Sequence, residues 1–185
     1  QGTYDNAPNV GSFAEIGEEK KEHISNAHWQ ANAAYTVPAN DANTLYREIL
    51  NNYPDARDIS LVSQALAPLE AYGITGGQDY VKLESARKLT ESEYTVNTQL
   101  GYISLNQRLN SDEVLAVAYD YTKNGNVYQV GEFSSDVTEA ASSPYVTMLK
   151  STTITTHRPT WDLMQNNVYS LDSLHVQKTK YKKQI

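Results

Sequence analysis

A chain of 185 residues is long enough for one ordinary domain with a core of its own, and a composition of 39% hydrophobic and 20% charged residues excludes a disordered polymer. The formal net charge of −7 repels phosphate backbones and argues against a nucleic-acid partner. With no cysteine, disulfide frameworks and thiolate metal sites are excluded as well.

The chain opens Gln1-Gly2-Thr3 with no Met and no apolar signal core, the reading expected of a fragment or a processed form. Residues 1–12 read as extended or turn, since Asn6, Pro8, Asn9 and Gly11 are all breakers. Ser12 followed by Glu15 has the form of a capping box. Phe13, Ile16, Lys20, Ile24, Ala27, Ala31 and Tyr35 fall near helical spacing, which predicts a first helix ended by Pro38. A second helix is expected where Asn40 and Asp41 can cap and Leu45/Ile49 and Tyr46/Leu50 make (i, i+4) pairs, with Pro54 closing it. Between 57 and 69 the pattern suits either a helix face or a short strand. Tyr72 to Gly77 is a loop by composition.

From Asp79 the period changes to two. Val81 and Leu83 alternate, and so do Tyr94, Val96, Thr98, Leu100 and Tyr102, which predicts strands. Asn110-Ser111-Asp112 is a turn. Leu115, Val117, Tyr119 and Tyr121 alternate up to Asn124-Gly125, a pair suited to the two positive-φ positions of a type I′ turn. Counting outward pairs Tyr121 with Tyr128 and Tyr119 with Val130, a half-buried antiparallel hairpin over 115–133. Residues 134–144 form a loop, Tyr145–Leu149 a strand, Thr160–Leu171 a short helix or irregular segment, and Val176–Ile185 a last strand. The expected fold is α+β: a mainly antiparallel sheet with one or two N-terminal helices. It is one domain or fragment over 1–185, with a helical third over about 12–53 and a β-rich remainder over about 79–185.

Motifs that carry chemistry are not visible. His23 and His28 are five apart and diverge on a helix, and His157 and His175 have no ligand-spaced partner. Gly73-Ile-Thr-Gly-Gly lacks the lysine of a phosphate loop. Asp120-Tyr-Thr-Lys-Asn-Gly echoes a calcium loop, but its twelfth position is Gly131 where a bidentate Glu is needed. Glu15, Glu18, Glu19 and Glu22 have the spacing of a solvated helix face. The expectation is no enzyme, no metal and no cofactor. Tyr suits half-buried sheet faces and interfaces, because its ring is apolar and its tip stays wet. Tyr102, Tyr119, Tyr121, Asn124, Gly125, Tyr128 and Trp161 are the contact or structural positions singled out on these grounds. Exposed tyrosines would also suit a surface β domain that binds carbohydrate or protein ligands.

An ordered series of segments resembles a known family. It comprises Tyr53-Pro-Asp-Ala-Arg-Asp-Ile59, Tyr72-Gly-Ile-Thr-Gly-Gly-Gln-Asp-Tyr80, Glu84-Ser-Ala-Arg-Lys-Leu89 and Glu93-Tyr94. It continues with Leu100-Gly-Tyr-Ile-Ser-Leu105, Asp112-Glu-Val-Leu-Ala-Val-Ala-Tyr119, Asn124-Gly125 and Tyr128-Gln-Val-Gly-Glu-Phe133. Pro159-Thr-Trp-Asp-Leu-Met164 and Asn167-Val-Tyr-Ser-Leu171 close it. Over roughly 53–171 this resembles the SprA/Sov family of gliding motility and type IX secretion in Bacteroidetes, whereas 1–50 and 172–185 depart from the pattern. The resemblance implies a very large outer-membrane barrel that delivers cargo proteins to the cell surface. The chain would then be a non-catalytic structural or gating module in the cell envelope, a water-facing portion on the surface or periplasmic side. Its partners would be other parts of the barrel, its accessory subunits and secreted cargo. No catalytic motif is carried over.

Overall fold

The computed structural model describes residues 9–18, 28–84, 86–137, 142–153 and 159–164. The architecture is α+β, with eight short strands and three short helices among these residues. The expected last strand at Val176–Ile185 and the segment 165–171 lie outside the described residues.

The centre is a mixed four-stranded sheet in the order β2-β1-β8-β5. Strand β1 is Val10–Phe13, β2 Tyr80–Leu83, β5 Leu115–Val117 and β8 Tyr145–Lys150. β1 runs antiparallel to β2, with Phe13 opposite Tyr80. It runs parallel to β8, with Gly11 opposite Tyr145. β5 joins the far edge antiparallel to β8, with an irregularity after Leu115.

This arrangement corrects the helix expected from Ser12 onward. Ser12 is a fully buried residue in the middle of β1 and caps nothing. The described residues after it are not helical, and the stretch from 28 to 35 is turns with one bridge, Ala31 to Asn43. Lys20, Ile24 and Ala27, which set part of the expected helical spacing, lie outside the described residues; Phe13 and Ile16, which set its start, belong to the core. Phe13 packs edge-on against Tyr145, with centroids 5.3 Å apart, and also meets Tyr80. Ile16 and Trp29 enter the same core from irregular backbone. A strand covered on both faces shows no alternation, so period alone could not identify it.

Helix α1, Leu45–Asn52, forms as expected. Leu45 and Ile49 are buried, and Tyr46 and Leu50 pack half-buried beside them. Its start is set differently: Thr44 is the N-cap, and the Asn43 side chain accepts the Leu45 N–H at 2.9 Å. Asn40 and Asp41 therefore do not cap it. Pro54 opens a 3-10 turn, Pro54–Arg57, where its missing N–H costs nothing. The ambiguous stretch after it is helical: α2, Val62–Leu66, runs into a second 3-10 turn, Ala67–Tyr72. Gly73, at φ 88°, ends that turn in the left-handed conformation, and the Ile74 N–H donates to the Leu69 carbonyl. Leu66, Leu69, Val62 and Ala56 close the core over Tyr145 and Tyr80.

Two hairpins stand apart from the central sheet as two-stranded units. Strands β3, Tyr94–Asn97, and β4, Tyr102–Leu105, replace the single alternating strand expected there. The chain reverses over 98–101. Asn97 Oδ1 accepts the N–H groups of Gln99 and Leu100, and Gly101 takes φ 67°. Strands β6, Tyr119–Lys123, and β7, Asn126–Val130, pair in the register counted from Asn124-Gly125. Both turn residues have positive φ, 53° and 80°. The hairpin is shorter than 115–133, because Leu115–Val117 has left to join β8 in the central sheet. Helix α3, Pro159–Asp162, packs against β8.

Candidate functional site

The most elaborate side-chain site joins the helical layer to the sheet. Glu132 follows β7 and is only 4% exposed. Its Oε1 accepts from the Arg57 guanidinium at 2.8 Å and from the Tyr46 hydroxyl at 2.6 Å. Its Oε2 accepts from the same guanidinium at 3.0 Å and from the Tyr145 N–H at 2.9 Å. Glu132 N–H in turn donates to the Tyr145 carbonyl, and Ser143 N–H to the Arg57 carbonyl. The Arg57 guanidinium lies 4.7 Å from the centroid of the Tyr145 ring. Four donors occupy a carboxylate with about four lone-pair directions, so Glu132 has no acceptor capacity left to take a proton from a substrate. The arrangement is a bidentate, hydrogen-bonded ion pair that fixes α1, the first 3-10 turn and β8 to one another.

The charges leave their mark on the neighbouring phenols. Tyr46 is pushed well above the ordinary phenol range by burial first, then by its bond to the Glu132 carboxylate. Tyr145 is raised mainly by burial, with Arg57 pulling it down and Glu132 pushing it up. Above about pH 10, where an exposed phenol ionises, the unfolded chain loses these protons while the folded chain keeps them. The unfolded state then binds fewer protons, so the stability contribution is full below pH 10 and falls as the pH rises beyond it. The urea midpoint is expected to be level from neutral pH to about pH 9 and to decline above about pH 10, less steeply in Tyr46→Phe. A midpoint that held constant well into the alkaline range would contradict it.

A second cluster fastens the 28–32 segment onto α1. Glu48 accepts from Trp29 Nε1 at 3.0 Å and lies 3.0 Å from His28 Nε2. The His28 ring stacks on Tyr72 with centroids 3.8 Å apart. Spacing along the chain does not reveal this partner of His28, because Glu48 lies 20 residues further on. Among the described residues no group of three or more His, Asp or Glu side chains could hold a metal ion.

The positions singled out from sequence divide among three places. Tyr119, Tyr121 and Tyr128 lie together on β6–β7, where Asn124 and Gly125 make the turn. The rings of Tyr121 and Tyr128 stack at 5.5 Å, Tyr119 tilts against Tyr121 at 6.1 Å, and Tyr35 meets Tyr128 edge-on. The Tyr121 hydroxyl donates to the Pro38 carbonyl at 2.6 Å. Asn40 grips Gly131 with both ends of its amide and donates its own N–H to the Gln129 carbonyl. The tyrosines thus brace the hairpin against residues 35–40. Rings that stack on one another and on the chain do not offer the flat, open platform a sugar needs. Tyr102 is half-buried on the separate β3–β4 hairpin, and Trp161 is half-buried on α3.

Sequence reasoning missed Arg57 and Glu132, which lie 75 residues apart. It also missed what the hairpins expose. On β3–β4, Val96 is 51% exposed, Leu100 74% and Ile103 39%; on β6–β7, Val127 is 68% exposed. The alternation around them signalled strands, but not that these apolar side chains would face outward. No protein-family model and no curated protein matches the chain.

Proposed function

We propose that the chain is a non-catalytic structural and gating module of an outer-membrane protein-secretion translocon of the type IX kind, facing water on the surface or periplasmic side. It works by contact with the barrel, its accessory subunits or passing cargo. The observation that carries this reading is where the exposed apolar side chains sit. The three most exposed large apolar side chains of the described residues, Leu100, Val127 and Val96, lie with Ile103 on two hairpins that are not hydrogen-bonded into the central sheet, while Leu61, Tyr72 and Leu163 are exposed elsewhere. Apolar groups exposed on such hairpins fit recognition by shape and are unsuited to acid–base chemistry. The ordered resemblance over 53–171 supplies the setting.

The experiment removes residues 79–133 in frame from the parent gene, a span that contains both hairpins and Glu132. Cargo is expected to stay in the periplasm while the barrel is made at its normal level. Glu70→Gln and Glu91→Gln, at exposed carboxylates, are expected to leave surface delivery unchanged. Normal delivery by the deletion strain with the barrel present, or loss of delivery from either glutamine variant, overturns the proposal.

A further inference from the structure

The two hairpins differ in what they leave open. The edge of β7 is already occupied: Asn40 donates to the Gln129 carbonyl and binds Gly131 through its side chain. The β3–β4 hairpin has no third strand bonded to either edge among the described residues. Its side chains are sorted by face. The cross-strand pairs Tyr94–Leu105 and Val96–Ile103 fall on one side, and Thr95–Ser104 and Asn97–Tyr102 on the other. Leu100 stands at the tip, the most exposed large apolar side chain of the described residues. The stretch 94–107 carries no charged residue, in a chain of which 20% is charged.

We propose that the β3–β4 hairpin is a docking surface for an extended, uncharged β-strand of another protein, added as a third strand along a free edge with its apolar side chains on the face that carries Val96 and Ile103. A two-stranded sheet is marginal alone and gains from a third strand, which would satisfy the open row of N–H and C=O groups. A charged strand would bury unpaired charge against Val96 and Ile103, since the hairpin offers no counter-charge over its whole length. A lipid surface fits less well. The hairpin carries no basic residue over 94–105 to meet lipid headgroups, and its open row of N–H and C=O groups would go unsatisfied among acyl chains. A second copy fits less well too, because each chain carries a formal net charge of −7 and the two repel one another.

The inference rests on the contact reading above only in taking the chain to act through its surface. The deletion experiment leaves that reading standing if the hairpin proves inert. The test uses the full chain and amide hydrogen exchange. The probe is an octapeptide alternating valine and threonine with a glycine-serine tail, and its control has lysine in place of every valine. Exchange at the β3 or β4 amides is expected to slow at least tenfold with the valine peptide and to be unchanged with the lysine peptide. The variant Val96→Thr/Leu100→Gln/Ile103→Thr keeps β-branched residues within the strands and is expected to abolish the slowing. Unaltered protection of β6–β7 in that variant reports that it is folded. The proposal is overturned if the valine peptide gives no slowing at saturation, if the lysine peptide slows exchange equally, or if slowing survives in the variant. Slowing produced instead by neutral phosphatidylcholine vesicles assigns the face to a lipid surface. Slowing that grows with protein concentration, without peptide, assigns it to a second copy. Either result also overturns the proposal.

Discussion

Arg57→Met is expected to lower the free energy of unfolding by roughly 3–5 kcal/mol, the cost of leaving a buried carboxylate without its counter-charge. Glu132 is nearly inaccessible to water and receives two of its four hydrogen bonds from this one guanidinium. The methionine fills much of the same volume but donates nothing, so Glu132 must either stay charged in an apolar setting or take up a proton. Adding Glu132→Gln to the Arg57→Met chain is expected to restore part of the loss, because an amide is far less costly to bury than an unpaired carboxylate. The amide oxygen can accept the Tyr145 N–H, and the amide NH2 can donate to the Tyr46 hydroxyl oxygen, which then turns from donor to acceptor. Urea unfolding of the two single variants and the double variant gives the coupling directly. A loss below about 1 kcal/mol for Arg57→Met would mean that the pair behaves as a surface ion pair and does not hold the two layers together.

Gly17→Ala is expected to destabilise the chain by about 3 kcal/mol or more, from two independent sources. Gly17 has φ 121°, which an L side chain rarely adopts, and such a residue costs on the order of 1–3 kcal/mol. A Cβ there would also sit 2.6 Å from the Asn40 carbonyl oxygen and 3.2 Å from the Tyr46 backbone N. These are main-chain atoms that cannot swing aside, so overlap adds a further 1–3 kcal/mol or so. The position matters because the Gly17 carbonyl accepts the Asn43 N–H just before α1. Gly125→Ala is the control: it shares the positive φ, but no atom lies within 4 Å of the added Cβ. It isolates the conformational cost. Equal losses in the two variants would show that crowding at Gly17 contributes nothing.

Local chemistry was legible in the sequence where neighbours in the chain are neighbours in space. Asn124-Gly125 dictates its own turn, and the turn dictates the register of Tyr121 against Tyr128. The spacing of Leu45, Tyr46, Ile49 and Leu50 dictates one helix face, and Gly73 punctuates the end of the next helical stretch. What tertiary structure decided is the rest. Val10–Phe13 is extended because β2 and β8 supply hydrogen bonds on both sides of it, over 60 and 130 residues away, and a strand buried on both faces shows no alternation to read. Leu115–Val117 left the hairpin for the same reason: β8 offered it an edge. Arg57 and Glu132 are ordinary charged residues in the sequence, and only the approach of distant segments turns them into a buried pair. Tyr119, Tyr121 and Tyr128 were legible as partners on one strand face, but residues 35–40 decide how much of them meets solvent. Tyr102, Val96 and Ile103 were legible as strand residues, and only the absence of a third strand among the described residues leaves their hairpin open. Period and turn chemistry act over a few residues and fix local conformation; exposure and charge pairing depend on which distant segments come together, which a single sequence does not encode locally.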